Sequence, residues 1–348
     1  MLERVYILSH TDLDGYFSAG LVEFFYKRNL NNDATFAHKS WTYGRDLPSV
    51  NYIKNNFDTV FIVDLCPSTE FMNALWEHFK ENFIWIDHHI KPDNDFLFQF
   101  RQSHKDEICG ERETVEHRNS AAALTFKYFE PNTEIPFWLK AISDFDCWNR
   151  SDEYVWQNII MPMFSILKNK ICSPGDAFNY IEDRMKKDEF YNTDAGNTRT
   201  LAEISVGKTV YTTIKASYNS DAKHGFERSF LTYTKDGEEL KTLKAWVCNT
   251  QNRSSVIFED MPNKDDYDVF IPYHFNGEKY MYSMYTFKEN IHCNEINILK
   301  PLSPPVYYGD TPGIVNTFGG PMKIVLTFNG HKDAAGANSE KFVFDNLA

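Results

Sequence analysis

Three short apolar segments in the first 90 residues each end in acidic or imidazole side chains. The segments cover residues 5–8, 59–64 and 82–86, and the stretches 16–30 and 69–80 between them carry apolar residues at helical spacing. Short strands that alternate with amphipathic helices predict a parallel sheet with helices on both faces. The carboxyl ends of such strands meet at one edge of the sheet, where ligands bind. The polar residues that close the three segments are therefore predicted to converge.

The converging residues are oxygen and nitrogen donors. They are His10, Asp12, Asp14, Asp64, Asp87, His88 and His89. In extended backbone, His10, Asp12 and Asp14 share one side, and Gly15 then permits a tight turn into the next helix. Donors of this kind without cysteine favour Mn²⁺, with Mg²⁺ as the alternative, and more than four of them suggest two ions roughly 3.5 to 4 Å apart. Each element alone also fits a turn, a helix cap or a packed histidine, but three strand ends together favour a metal site.

The composition limits the partners and the compartment. The chain has 348 residues, which suggests two domains, and a formal charge of −13 disfavours a long duplex nucleic acid held by a basic face. The first apolar segment is too short for a signal peptide, and no stretch approaches the length of a membrane span. Six scattered cysteines without a CxxC pair fit a reducing compartment and ordinary packing. The sequence thus predicts a cytoplasmic protein without a membrane partner, and it leaves open whether the chain forms a homodimer.

The predicted fold class is α/β, with three parts along the chain. Residues 1–153 are predicted to form a doubly wound, mainly parallel sheet domain, residues 154–220 a helical linker, and residues 221–348 a smaller α+β domain. The active site is expected in the cleft between the two domains. Within the last part, Asp236-Gly237 and Asn276-Gly277 are typical of hairpin turns.

The acidic and histidine motifs resemble those of a known superfamily. His10-x-Asp12-x-Asp14-Gly15, then Asp64, then Asp87-His88-His89, and then Asp144 at the end of a predicted helix resemble the four-motif pattern of the DHH phosphoesterases. The resemblance spans the N-terminal half and is strongest to the nanoRNase-like branch, which degrades very short RNAs or linear and cyclic dinucleotides. It implies two manganese ions between a DHH domain and a smaller DHH-associated domain.

The resemblance also implies a role for each motif residue. The first ion would be held by His10, Asp12 and Asp64, and the second by Asp14, Asp64, His88 and Asp144. Asp64 would bridge the ions, His89 would face the scissile phosphate, and Asp87 would orient an imidazole. Asp146 lies two residues beyond Asp144 and competes for the fourth-motif role, with Asp144 preferred.

The C-terminal half carries a weaker resemblance that concerns the substrate. Asn329-Gly330-His331 matches the glycine-histidine motif with which the superfamily grips a terminal phosphate or a base edge, and Gly319-Gly320 is a rival without the histidine. The predicted substrate-binding residues are Gly330, His331, Lys288, Arg253 and Asn249. Lys288 stands where the superfamily tends to place an arginine. The stretch 289–328, which includes a proline-rich loop, is longer than expected and suggests an insertion.

The sequence therefore predicts a Mn²⁺-dependent phosphodiesterase that hydrolyses short oligonucleotides or dinucleotides to mononucleotides. Two alternatives within the same superfamily are less favoured. A single-strand exonuclease would require a basic, aromatic-lined channel, and a pyrophosphatase would require a dense cluster of Lys and Arg. A nucleotide-sequestering protein without catalysis is the alternative from another class. It would not need the full set of metal ligands.

Overall fold

The computed structural model describes residues 2–88, 119–233, 240–251, 255–288, 290–293, 296–301, 322–330 and 334–344. The chain divides into two compact units, Met1–Tyr211 and Thr212–Ala348. The division therefore falls at 211/212, whereas the sequence suggested boundaries at 153 and 220.

The first unit is built on a four-stranded parallel sheet. Its strands are β1 (Arg4–His10), β2 (Thr35–Trp41), β3 (Thr59–Val63) and β4 (Phe83–Ile86). The strand order is β2-β1-β3-β4, and each neighbouring pair is parallel. The predicted parallel sheet is confirmed, and β2 is an addition to the three predicted strands. The connection after β1 leads to β2 on one side of the sheet, and the connection after β3 leads to β4 on the other side, so the switch point lies between the carboxyl ends of β1 and β3.

Eight helices accompany the described strands. They are α1 (Leu13–Asn29), α2 (Val50–Asn56), α3 (Thr69–Phe79), α4 (Ala121–Phe129), α5 (Phe137–Asp146), α6 (Met161–Lys170), α7 (Pro174–Lys186) and α8 (Asp194–Lys223). A turn of helix, Glu153–Val155, and a π-helical segment, Trp156–Ile160, precede α6. None of the helices in the described residues is long and apolar enough to cross a membrane.

The sheet is buried on both faces, as the doubly wound prediction requires. Along β1, Tyr6 and Leu8 pack toward Met72 and Leu75 of α3, whereas the alternate residues of the strand pack toward α1 and α4. Strands that are apolar on both faces belong in the middle of such a layered fold. The sheet is therefore a rigid support for the residues at its carboxyl edge.

The helices predicted as a linker belong to the core of the first unit. Ile181 of α7 and Leu167 of α6 share one buried cluster with Phe17 and Leu21 of α1. A Cβ on Gly20 would lie 2.8 Å from the backbone nitrogen of Phe178, so α1 and α7 pack at very short range. This close packing explains why the division into units falls within α8.

The second unit contains an eight-stranded sheet in the described residues. Its strands are β5 (Phe226–Tyr233), β6 (Leu240–Asn249), β7 (Val269–Phe275), β8 (Tyr280–Tyr285), β9 (Asn297–Pro301), β10 (Met322–Thr327), β11 (Asn329–Gly330) and β12 (Ala334–Ser339). The order is β10-β9-β5-β6-β7-β8-β12-β11, and only β6 and β7 are parallel. The turn predicted at Asn276-Gly277 joins β7 to β8, with Gly277 at φ +100°. The turn predicted at Asp236-Gly237 and nearly all of the 301–312 loop lie outside the described residues.

Candidate metal centre

The carboxyl end of β1 turns sharply into α1 and places two acids at the sheet edge. The carboxylate of Asp12 caps the helix by accepting a hydrogen bond from the backbone N–H of Gly15 at 2.9 Å. A Cβ on Gly15 would lie 2.5 Å from the carbonyl oxygen of His10, which is closer than real Cβ contacts. Glycine is therefore required at this position, in agreement with the sequence prediction.

Replacing Gly15 with alanine is expected to destabilise the first unit by about 1–3 kcal/mol, because the new methyl group must push the helix away from the strand. Thermal unfolding would measure this loss. The matched control is Gly175→Ala in the first turn of α7, where the nearest atom to the new Cβ would be 3.7 Å away. Equal stability of the two variants would contradict the close packing of α1 on β1.

Two groups of potential metal ligands meet at Asp64. In the first group, His10 Nδ1 lies 2.5 Å from Asp12 Oδ2 and 3.8 Å from Asp64 Oδ2. In the second, which contains Asp14, His88 Nε2 lies 3.3 Å from Asp64 Oδ1. In each group the ligand atoms lie within 4.8 Å of one another. The structure thus brings together every residue of the two implied ligand sets except Asp144, with Asp64 in both groups.

Asp64 occupies an unusual backbone position directly after β3. Its φ is +58°, and its N–H donates to the carbonyl of Ile86 at 2.9 Å. Aspartate and asparagine tolerate this left-handed conformation better than other side chains. The tight turn carries the buried carboxylate to the switch point of the sheet.

Asp14 is held by the amino end of α4. One carboxylate oxygen, Oδ1, accepts hydrogen bonds from Ser120 Oγ at 2.5 Å and from the backbone N–H of Ala122 at 3.2 Å. The N–H of Ser120 in turn donates to Ser143 Oγ at 2.9 Å. The other oxygen, Oδ2, is buried and has no hydrogen-bond partner among the described residues. A buried carboxylate oxygen in this situation fits a cation ligand, and the surrounding oxygen and imidazole donors fit Mn²⁺ or Mg²⁺.

The electrostatics of the cluster also favour a bound cation. Burial and the nearby charge of Asp146 raise the pKa of Asp14 to about 8. Burial and the charges of Asp12 and Asp14 raise the pKa of Asp64 well above its usual range. For His88, burial lowers the pKa, but the charge of Asp146 and hydrogen bonds to carboxylates outweigh it, and the net pKa is raised. Several acids that repel one another in a buried site gain most from a divalent ion, which offsets their charge.

Of the two acids at the end of α5, Asp146 faces the cluster. Its Oδ2 lies 3.1 Å from His88 Nε2. Asp144 instead accepts hydrogen bonds from the ammonium of Lys140 and, at 2.9 Å, from Asn149 Nδ2. Asp144 belongs to none of the three groups of potential ligands found in the described residues. The geometry therefore favours Asp146 for the fourth-motif role, whereas the motif resemblance favoured Asp144.

We expect Asp146→Asn to weaken Mn²⁺ binding by about 10- to 100-fold, and Asp144→Asn to change it little. The pair is well matched, because both acids lie in the last turn of α5 and both changes remove one charge. Titration with Mn²⁺ under electron paramagnetic resonance measures the affinity directly. A larger loss in Asp144→Asn would reverse the assignment.

The remaining site residues predicted from the sequence are Asp87, His89 and five residues of the second unit. Asp87 is buried directly after β4, and His89 lies outside the described residues. In the second unit, Asn249 ends β6 and Gly330 lies in β11. The ammonium of Lys288 donates to Asp268 Oδ1 at 2.9 Å, and Arg253 and His331 lie outside the described residues.

Two neighbours of Asp146 were assigned no function from the sequence. Cys147 Sγ lies 3.7 Å from His88 Nδ1, so this cysteine has a polar contact in addition to packing. Trp148 adopts a left-handed backbone conformation with φ +55° and is 41% exposed. Their position directly after the acid pair Asp144-Phe145-Asp146 was the available signal. A tryptophan at positive φ is rare, which makes this turn a candidate for a functional role.

Among known proteins, similarity to this chain is found in solved structures. No family model matches the sequence, and no curated protein matches it. A DHH domain protein described as a member of the s1p family of ribosomal proteins is similar in structure, with a TM-score of 0.53 and 12% identity, over 96% of this chain and 82% of that one. RecJ from Thermus thermophilus in complex with Mn²⁺ gives a TM-score of 0.43 and 10% identity, over 99% of this chain and 51% of that one. An exopolyphosphatase-related protein from Bacteroides fragilis gives 0.38 and 13%, over 98% and 87%.

The first of these structures shows the fold. The chain has the fold of a DHH domain protein, as the motif resemblance implied.

Proposed function

We propose that this chain, with its DHH-type fold, is a Mn²⁺-dependent phosphodiesterase that hydrolyses short oligonucleotides or linear and cyclic dinucleotides to mononucleotides. The observation that carries the proposal is the pair of ligand groups that share Asp64 at the sheet switch point. Two divalent ions held by these groups would supply an activated water and neutralise charge on the phosphate oxygens.

The residues of the first unit hold this arrangement in place before substrate binds. Gly15 N–H fixes Asp12, and the amino end of α4 fixes Asp14 through Ser120 and Ala122. Asp146 fixes His88 through Nε2, the nitrogen that also faces Asp64. Ligands fixed by separate hydrogen bonds lose little freedom when an ion binds, which favours tight and well-ordered coordination. His89 is proposed to face the scissile phosphate and Asp87 to orient an imidazole.

Two features favour a short substrate that carries a base. The charge of −13 disfavours a long polyanion, since only a local cationic site would offset the repulsion. The partly exposed indole of Trp148, two residues from Asp146, offers an aromatic surface on which a base can stack. Pyrophosphate has no group that would use this surface. Asn249, Arg253, Lys288, Gly330 and His331 are proposed to bind the substrate from the second unit.

The direct test is a panel of substrates incubated with the full chain and Mn²⁺ and resolved by product length. The panel contains oligomers of two to five nucleotides, cyclic dinucleotides, pyrophosphate and long single strands. We expect mononucleotides from the shortest oligomers or from cyclic dinucleotides. Preferred cleavage of pyrophosphate or of long strands would assign the chain to another activity of the superfamily. Tight dinucleotide binding that survives chelation, without product, would indicate a sequestering protein.

Replacing Trp148 with alanine is expected to raise KM for a dinucleotide about 10-fold with kcat little changed, because stacking contributes about 1–3 kcal/mol per base. Trp148→Phe keeps an aromatic ring and is expected to retain most of the affinity. An abasic dinucleotide of equal charge should not distinguish these proteins. Tyr52→Ala is the matched control, since Tyr52 is 55% exposed on α2. Unchanged KM in Trp148→Ala would exclude the stacking role.

A further inference from the structure

A third group of potential metal ligands lies beside the proposed catalytic groups and contains a thiol. Ligand atoms of His88, Asp146 and Cys147 lie within 4.8 Å of one another, and all three residues are partly exposed. The thiol of Cys147 faces Nδ1 of His88 at 3.7 Å, and Asp146 Oδ2 faces Nε2 at 3.1 Å. A single ion would bind one nitrogen of His88, and the grouping places a sulfur of Cys147 and an oxygen of Asp146 within 4.8 Å of that nitrogen.

We propose that His88, Asp146 and Cys147 form a binding site for a thiophilic divalent cation, such as Zn²⁺ or Cd²⁺, which displaces Mn²⁺ from its own ligands. The displacement rests on the proposed function, because it requires that Mn²⁺ also uses His88. Thiolate and imidazole bind Zn²⁺ and Cd²⁺ more strongly than they bind Mn²⁺. The other two ligand groups contain only carboxylate and imidazole donors.

Binding at this site is a ligand exchange without oxidation. The S–H bond of Cys147 breaks, its proton passes to solvent, and a sulfur–metal bond forms. Nε2 of His88 also lies 3.3 Å from Asp64 Oδ1, so the same imidazole serves the group that shares Asp64. A cation that draws His88 toward Cys147 removes it from that group. Zn²⁺ and Cd²⁺ are therefore inhibitors of this protein, and Mn²⁺ is its activator.

The other described cysteines make the site testable. Cys66, Cys248 and Cys293 are buried, whereas Cys172 is exposed. Cys172 belongs to none of the three ligand groups found in the described residues, so Cys172→Ser is the matched control. It removes an accessible thiol from the same unit without touching His88.

The first test is a Cd²⁺ titration of the full chain, followed by the ultraviolet charge-transfer band of a thiolate–cadmium bond. The wild type and Cys172→Ser are expected to show a saturable band, and Cys147→Ser is expected to lose it. Circular dichroism confirms that each variant is folded, and Cys147→Ala replaces the serine variant if it is not. A band of full size in the folded Cys147 variant, or no band in the wild type, would overturn the site.

The second test measures displacement without relying on catalysis. Electron paramagnetic resonance of Mn²⁺ reports the free ion, and Cd²⁺ is expected to release bound Mn²⁺ from the wild type. The Cd²⁺ concentration for half-release should rise about 10-fold or more in Cys147→Ser. Equal release from both proteins would refute the competition. Absence of hydrolysis in every protein would refute the proposed function and leave both metal readouts interpretable.

Discussion

Asparagine at position 64 is expected to lower Mn²⁺-dependent hydrolysis of a dinucleotide by at least about 10³-fold. Asp64 contributes to both ligand groups, so its loss weakens both ions at once. Asparagine tolerates the φ of +58° at this position and has nearly the same shape. The fold should therefore survive, and mononucleotide release from the folded variant measures the loss.

The control for this variant is Asp58→Asn. Asp58 precedes β3 and makes an exposed ion pair with Arg4 at 3.3 Å, outside the ligand groups of the described residues. Exposed pairs contribute about 0–1 kcal/mol, so activity should change little. Near-wild-type hydrolysis by Asp64→Asn would contradict the assignment of Asp64 to both ligand groups.

Adding Mn²⁺ to the metal-free protein is expected to raise its melting temperature by roughly 5–10 °C. At 100 times the Kd, a ligand that binds only the folded state stabilises it by about 2.7 kcal/mol. The physical source is the repulsion among Asp12, Asp14 and Asp64, which an ion offsets. Differential scanning calorimetry with Mn²⁺ and with a chelator gives the shift.

Asp64→Asn supplies the internal comparison. Without metal, the variant should melt above the metal-free wild type, because one buried acid no longer repels its neighbours. With Mn²⁺, it should gain much less than the wild type. If Mn²⁺ stabilises both proteins equally, the ion binds elsewhere.

The strand ends of the first unit could be predicted because their residues are strongly patterned. β1, β3 and β4 are continuous apolar segments followed by acids, and the structure places them next to one another. β2 was missed because it lies at the sheet edge. Of its seven residues, Thr-Phe-Ala-His-Lys-Ser-Trp, only Trp41 is buried. An edge strand without a buried stripe carries no clear signal.

The choice between Asp144 and Asp146 could not be made from the sequence. Two residues on a helix differ in direction by about 200°, so only one of the two acids faces a given site. Which one does so depends on the rotation of α5, set by the packing of Trp138 and Ile142 in the core. Likewise, the hydrogen bond from Ser120 to Asp14 joins residues 106 positions apart, which no local pattern predicts.

The central claim is that metal binds at Asp64, and crystals grown with Mn²⁺ test it most directly. Anomalous scattering from manganese should show two peaks roughly 3.5–4 Å apart, both beside the carboxylate of Asp64. One peak should contact Asp12 and the other Asp14 and His88. Manganese peaks elsewhere, with none at Asp64 in a Mn²⁺-saturated crystal, would contradict the account.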